Sequence, residues 1–97
     1  MTGVADSKQG LDVRRRKTLF RAWHRGMREV DLIMGRFADA AIAHWSEEEL
    51  AEFERLLDVP VPQVLAWLTG TASVPSSYDT ALFRQLRAFD VADGYSR

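Results

Sequence analysis

The sequence predicts an all-α fold, a small bundle of about five short helices in a single domain, and three observations lead there. Apolar residues recur at three- and four-residue spacing along most of the chain. No segment alternates apolar and polar residues with the period of two that a half-buried strand needs. Glycine, proline and capping residues punctuate the periodic runs at intervals suited to short helices and short loops.

Residues 1–11 mix Gly, Ser, Asp and Lys with little apolar content and read as a flexible tail. The domain is expected over 12–90, with a second flexible tail at 91–97. In the first helix Leu19, Trp23 and Met27 form one stripe, and Gly26 sits where a C-terminal cap glycine would fall. A second helix is expected over 28–43, with Val30, Ile33, Met34, Phe37 and Ala41 on one face, so the first two helices form a hairpin. Ser46 followed by Glu47, Glu48 and Glu49 is a capping box, and carboxylates in a first turn suit the helix dipole. That third helix buries Leu50, Phe53, Leu56 and Leu57 and stops before Pro60, which supplies no donor and restricts the residue ahead of it. Pro62 suits the first turn of a fourth helix with Val64, Leu65, Trp67 and Leu68 as its core face, ended by Gly70. After a loop over 71–77, Ser76 or Ser77 is expected to cap a fifth helix carrying Leu82, Phe83, Leu86 and Phe89, with Asp79 in its first turn.

Composition narrows the function. A chain of 97 residues is near the lower end of what buries a self-sufficient core, so one domain carries the function. There is no cysteine, which removes disulfides, thiolate metal sites and thiol nucleophiles and fits a reducing compartment. No apolar run is long enough to span a bilayer or to act as a signal peptide, so no membrane role is expected. His24 and His44 lack metal-ligand spacing, the serines cluster at caps and tails, and no phosphate-cradling glycine loop is present. The chain is therefore expected not to be an enzyme, to hold no metal and to bind no dinucleotide by a recognised motif.

Charge is divided along the chain although the net value is −1. The stretch from Lys8 to Arg36 is mainly basic and that from Glu47 to Asp58 mainly acidic. Such asymmetry selects partners. The run Arg14 to Lys17 is the nucleic-acid candidate, but a dedicated nucleic-acid binder would carry a whole-domain positive excess. A second candidate is "RGMRE". Arg25 and Glu29 are four apart and Arg25 and Arg28 three apart, so helical continuity would set these charges on one edge. Gly26 removes a side chain where another backbone could come close, and the guanidinium groups and carboxylate offer directional hydrogen bonds. On physics alone, surface ion pairs around a capping glycine and a contact patch are equally good accounts.

The stretches "RRRKTLFRAWHRGMREVDLIMGRF" and "SEEELAEFERLLDVPVPQVLAWLTG" resemble the SdhE family, the FAD assembly factors of succinate dehydrogenase, over roughly residues 13 to 89. RGMRE matches that family's RGxxE motif at Arg25, Gly26 and Glu29, supported by Asp31, Gly35 and Phe37 and by the L-L-D and W-L-x-G segments. The resemblance implies a helical assembly chaperone that promotes covalent attachment of FAD, through the flavin's 8α-methyl carbon, to a histidine of the flavoprotein subunit of succinate dehydrogenase, and of fumarate reductase in some bacteria. It implies that Arg25, Gly26 and Glu29 dock near the partner's flavin site, that Arg28 and Asp31 orient that patch, and that FAD stays with the partner. The chain departs from the family at "VPVPQV", where many relatives carry an acidic residue. A bacterial cytoplasm is expected because Asp6 and Asp12 do not suit a transit peptide, and the free chain is expected to be a monomer. The competing expectation is an antitoxin-like or nucleic-acid-associated regulatory protein that uses the basic first helix.

Overall fold

The structure, a computed structural model, describes residues 10–93, with side chains as far as Phe89. The tails expected at 1–11 and 91–97 lie largely outside these residues. Five α-helices follow in order: α1 (Val13–Trp23), α2 (Arg28–Ala41), α3 (Glu47–Leu57), α4 (Val61–Thr69) and α5 (Ala81–Asp93), with a 3₁₀ turn at Ile42–His44. There is no strand among the described residues. α1 and α2 form the expected hairpin, and α2 and α3 each pack against both α1 and α5.

Local chemistry sets the helix starts. The Asp12 carboxylate accepts from the Arg15 amide at 2.8 Å and caps α1. Ser46 and Glu49 exchange both capping-box bonds, at 3.0 and 2.9 Å. Pro62 occupies the first turn of α4, and Gly70 ends it at φ +80° in the left-handed region. At α5 the expectation fails by a few residues: Ser76 and Ser77 belong to a turn in which the Tyr78 amide bonds Pro75 O, and Thr80 Oγ1 instead accepts from the Phe83 amide at 3.1 Å. The turn started by Pro75 uses up the serines, so the cap passes to the next hydroxyl. Asp79 thus precedes the helix. α5 continues to Asp93, past the expected boundary at 90, and Leu11, expected in the tail, is buried in the core.

The core is one cluster to which every helix contributes. Val30, Met34, Leu50, Phe53, Val64 and Phe83 are almost wholly removed from water. Trp45 sits between Phe53, at 4.8 Å between ring centroids, and Phe37, at 5.8 Å. The 3₁₀ turn that shortens the second helix places it there. Arg15 adds donors to that turn, its guanidinium bonding Ile42 O, which also accepts from the Trp45 amide, at 3.1 Å and Trp45 O at 2.5 Å.

The charge division seen in the sequence is largely closed within the fold. Arg14 grips Glu54 with two hydrogen bonds of 2.9 and 2.8 Å and reaches Glu47 at 2.7 Å, while Arg21 meets Asp58 at 2.9 Å. The basic edge of α1 thus lies along the acidic edge of α3. Hydrogen bonding from Arg14, then Thr18, holds the Glu54 carboxyl below its ordinary range against the opposing effect of burial.

Two predictions follow from this packing. A Cβ at Gly35 would lie within 2.6 Å of the Trp23 indole, so α1 and α2 can approach only over a bare backbone. Gly35→Ala should lower stability by about 1–3 kcal/mol in urea unfolding, with Trp23→Leu recovering part of it; an unchanged midpoint for the single variant would show that the helices separate freely. Because the folded Glu54 pKa is depressed, its contribution is complete at neutral pH, starts to fade below about 4.3, the value of an unfolded glutamate, and is gone below the folded value. Thermal melts between about pH 5 and 3 should therefore show a shallower acid loss for Glu54→Gln than for the unaltered chain, and equal slopes would remove the Arg14–Glu54 pair from the account.

Candidate functional site

The joint between α1 and α2 carries the candidate motif. α1 stops at Trp23, His24 is its cap, and α2 starts at Arg28, so Arg25, Gly26 and Met27 alone make the reversal. Gly26 has φ +100°, a conformation an L side chain rarely adopts. A Cβ there would meet nothing within 4 Å. The glycine is thus required inside the fold by backbone conformation, and its bare surface faces outward.

Asp31 closes the joint. Its Oδ1 accepts from the amides of Arg25 at 2.6 Å and Gly26 at 3.2 Å, while its own amide donates to Met27 O at 2.9 Å. Two backbone donors that would otherwise be orphaned at a helix junction are satisfied by one carboxylate. Met27, the residue preceding α2, offers no side-chain cap. From one turn inside the helix, Asp31 instead ties down the two residues ahead of Met27.

Arg25 departs from the edge its spacing predicts. Helical continuity would have set its guanidinium on one edge with Glu29, but the helix ends at Trp23 and does not resume until Arg28, and the side chain runs inward. Nη1 donates to Leu56 O at 3.2 Å and lies 3.9 Å from Met34 Sδ, while Nη2 donates to Val59 O at 2.5 Å. These carbonyls lie at the end of α3. Burial, and secondarily the nearby Arg21, lowers the Arg25 pKa, opposed by Asp31 and Asp58. The guanidinium still carries its charge throughout the physiological range.

The five candidate residues therefore separate. Arg25 and Asp31 build the joint and pin it to α3; Gly26, Arg28 and Glu29 form its exposed outer surface. A rigid mount with a charged, low-profile face can hydrogen-bond a partner with little ordering cost. The alternative arm fares differently. Arg14 and Arg15 are committed to Glu47, Glu54, Asp12 and backbone carbonyls.

One feature escaped the sequence reading. Phe20, off the Leu19–Trp23–Met27 stripe, is 63% exposed, and Val13 is 56% exposed two turns earlier. His24 stacks on the Phe20 ring at 4.0 Å between centroids, its Nδ1 2.7 Å from Phe20 O. The available signal was an aromatic out of phase with the buried stripe. Among the described residues no helix is long and apolar enough to cross a membrane.

Comparison with known proteins shows the family. A family profile described as flavinator of succinate dehydrogenase, Sdh5, matches residues 16–90. The FAD assembly factor SdhE of Acetobacter pasteurianus is 36% identical over 85 residues, covering 88% of this chain and 76% of the relative. The mitochondrial succinate dehydrogenase assembly factor 2 of Dictyostelium discoideum is 33% identical over 85 residues, covering 86% of this chain and 60% of the relative. That of Debaryomyces hansenii is 36% identical over 66 residues, covering 68% and 46% respectively. The chain thus spans about three quarters of the bacterial relative and a smaller share of these mitochondrial ones. No solved structure gives a significant match.

The two classes of motif residue should separate by stability. Arg25→Ala leaves the Leu56 and Val59 carbonyls without a charged donor and should cost about 2 kcal/mol in urea unfolding, with Arg25→Lys losing less. Glu29→Ala, exposed and outside the joint's hydrogen bonds, should stay within about 0.5 kcal/mol. Equal losses for Arg25→Ala and Glu29→Ala would contradict the division.

Proposed function

We propose, for a chain that belongs to the Sdh5 family of flavinators of succinate dehydrogenase, that it acts as an assembly factor promoting covalent attachment of FAD to the flavoprotein subunit. The observation that carries the reading is the joint itself. The residues that match the family motif are fixed in one rigid reversal whose outer face presents Gly26, Arg28 and Glu29. Glu29 and Arg28 hydrogen-bond the partner there, Gly26 lets its backbone approach, and Arg25 acts from behind as a positioning residue.

The chain needs no reacting group of its own. Bond formation between the flavin methyl carbon and a histidine requires the two to be held in line, and correct placement of reactants can be worth several kcal/mol of barrier. An assembly factor achieves this by binding the aligned conformation of the flavoprotein more tightly than the others; each tenfold of differential affinity shifts the population tenfold. In this reading the chain is a chaperone rather than an enzyme and holds no cofactor stably, FAD remaining with the flavoprotein. It works as a monomer in a bacterial cytoplasm and also serves fumarate reductase where a cell has one. The nucleic-acid alternative loses much of its support, because Arg14 and Arg15 of the basic run are engaged by carboxylates and backbone carbonyls of the fold.

The test is in-gel flavin fluorescence of the denatured flavoprotein subunit from cells lacking the gene and complemented with the unaltered chain, Glu29→Ala or Gly26→Arg. The unaltered chain should restore covalent flavin. Glu29→Ala should restore about tenfold less at normal abundance, as loss of a charge-assisted hydrogen bond implies. Equal fluorescence in the deletion and complemented strains would refute the function; full restoration by Glu29→Ala would refute the docking face.

A further inference from the structure

Beyond the RGMRE joint, α1 presents a second surface that the fold leaves uncovered. Val13 and Phe20 are seven residues apart, two turns on one stripe, and are the exposed large hydrophobic side chains among the described residues. Open clefts flank Phe20 on both sides. One, of about 310 Å³, is lined by Phe20, Arg21, His24, Arg25 and Leu57. The other, of about 490 Å³, is lined by Val13, Arg16, Lys17, Phe20 and Arg21. The first cleft reaches Arg25, so the stripe is continuous with the joint.

The charged side chains that line the clefts are all basic. Arg16, Lys17 and Arg21 are all exposed; Arg16 donates to Leu11 O at 2.6 Å, and among the described residues only Arg21 of the three has a carboxylate partner, Asp58. Phe20 is also held rather than loose, because His24 stacks against it. A pre-set aromatic between two clefts, ringed by cationic groups, has the composition of an interface anchor: the ring supplies apolar contact at small ordering cost and the cations select the partner.

We propose that this α1 stripe is a second contact surface for the flavoprotein subunit, receiving a segment that seats an aliphatic side chain in the apolar cleft between Val13 and Phe20 and sets carboxylates against Lys17 and Arg16. The proposal rests on the assembly-factor reading and extends it to a partner segment of stated chemistry. A protein segment suits the surface better than nucleic acid. Val13 offers no stacking face, and a phosphate backbone that continued past the stripe toward α3 would meet Glu47 and Glu54 on the far side of Arg14. A membrane surface is a poor fit as well, since two apolar side chains on an eleven-residue helix are a small area to bury.

The test is titration of the full chain against the apo flavoprotein subunit of the same cell's succinate dehydrogenase by calorimetry, at low and moderate salt, with unfolding curves for each variant. Phe20→Glu should weaken binding by about tenfold or more while unfolding normally, because Phe20 supports no core contact, and Phe20→Leu should stay within about threefold. Lys17→Glu should weaken binding and flatten its salt dependence. If Phe20→Glu and Lys17→Glu bind like the unaltered chain while Glu29→Ala does not, the α1 surface is refuted and the assembly-factor reading stands. If the unaltered chain binds no flavoprotein, both fall. Phe20-dependent self-association, RNA binding or binding to anionic vesicles, without an effect on flavoprotein affinity, would overturn the stated occupant.

Discussion

Short helices end in carbonyls that have no partner within the helix, and a domain of five such helices must supply donors for many of them. Here arginine side chains do so. Arg15 takes the carbonyls of Ile42 and Trp45 at the end of the 3₁₀ turn, Arg25 those of Leu56 and Val59 past α3, and Arg87 that of Trp67 near the end of α4. Arg55 adds a bond to Ser77 O at 2.6 Å in the loop before α5 and lies over the Tyr78 ring. Guanidinium is suited to the task, since its planar fork reaches two acceptors and is less strongly hydrated than an ammonium. Each bond ties the end of one element to another, so the helices are fixed relative to one another as well as internally.

The same constraint reaches the motif. With its guanidinium anchored to α3, Arg25 fixes the height of the reversal above the bundle, and Asp31 fixes its shape by taking two amides. Gly26 supplies the positive φ that lets a reversal this short close. On the other side of the hairpin, Gly35 lets Trp23 lie against bare backbone while the indole N–H donates to Asp39 at 3.0 Å. The motif's outer residues thus sit on a mount that packing and hydrogen bonds determine on both sides.

How much of this was legible depends on the range over which each signal acts. The Ser46–Glu49 box, Pro62 and Gly70 are local rules, and the helices they delimit appear where the sequence placed them. The core stripes were readable for the same reason, because Val30, Met34 and Phe37 share a face whatever they pack against. The opposed charges of α1 and α3 were visible as composition, yet their pairing was not, since Arg14 and Glu54 are distant in sequence. Arg25 was misplaced by the same limit. Its acceptors are backbone carbonyls, which every residue carries, so no pattern of residue types could have pointed to Leu56 and Val59. Thr80 was overlooked because a proline-started turn took the earlier serines.

A chaperone for covalent flavin attachment also has reason to be built this way. Its contribution lies in the difference between its affinities for the aligned and unaligned states of the flavoprotein, and a flexible docking face would mould itself to both and favour neither. A joint that cannot adapt discriminates, because in the proposed docking a partner backbone displaced from the fitting position would lose its bonds to Glu29 and Arg28 together. Under the docking proposed above, the anchoring of Arg25 serves the function without the residue touching the partner: loosening it would blur the face that Glu29 presents while leaving Glu29 in place. A charged motif residue can therefore serve as a mount as readily as a contact: the Arg25 guanidinium is held by the Leu56 and Val59 carbonyls, while Glu29 lies exposed.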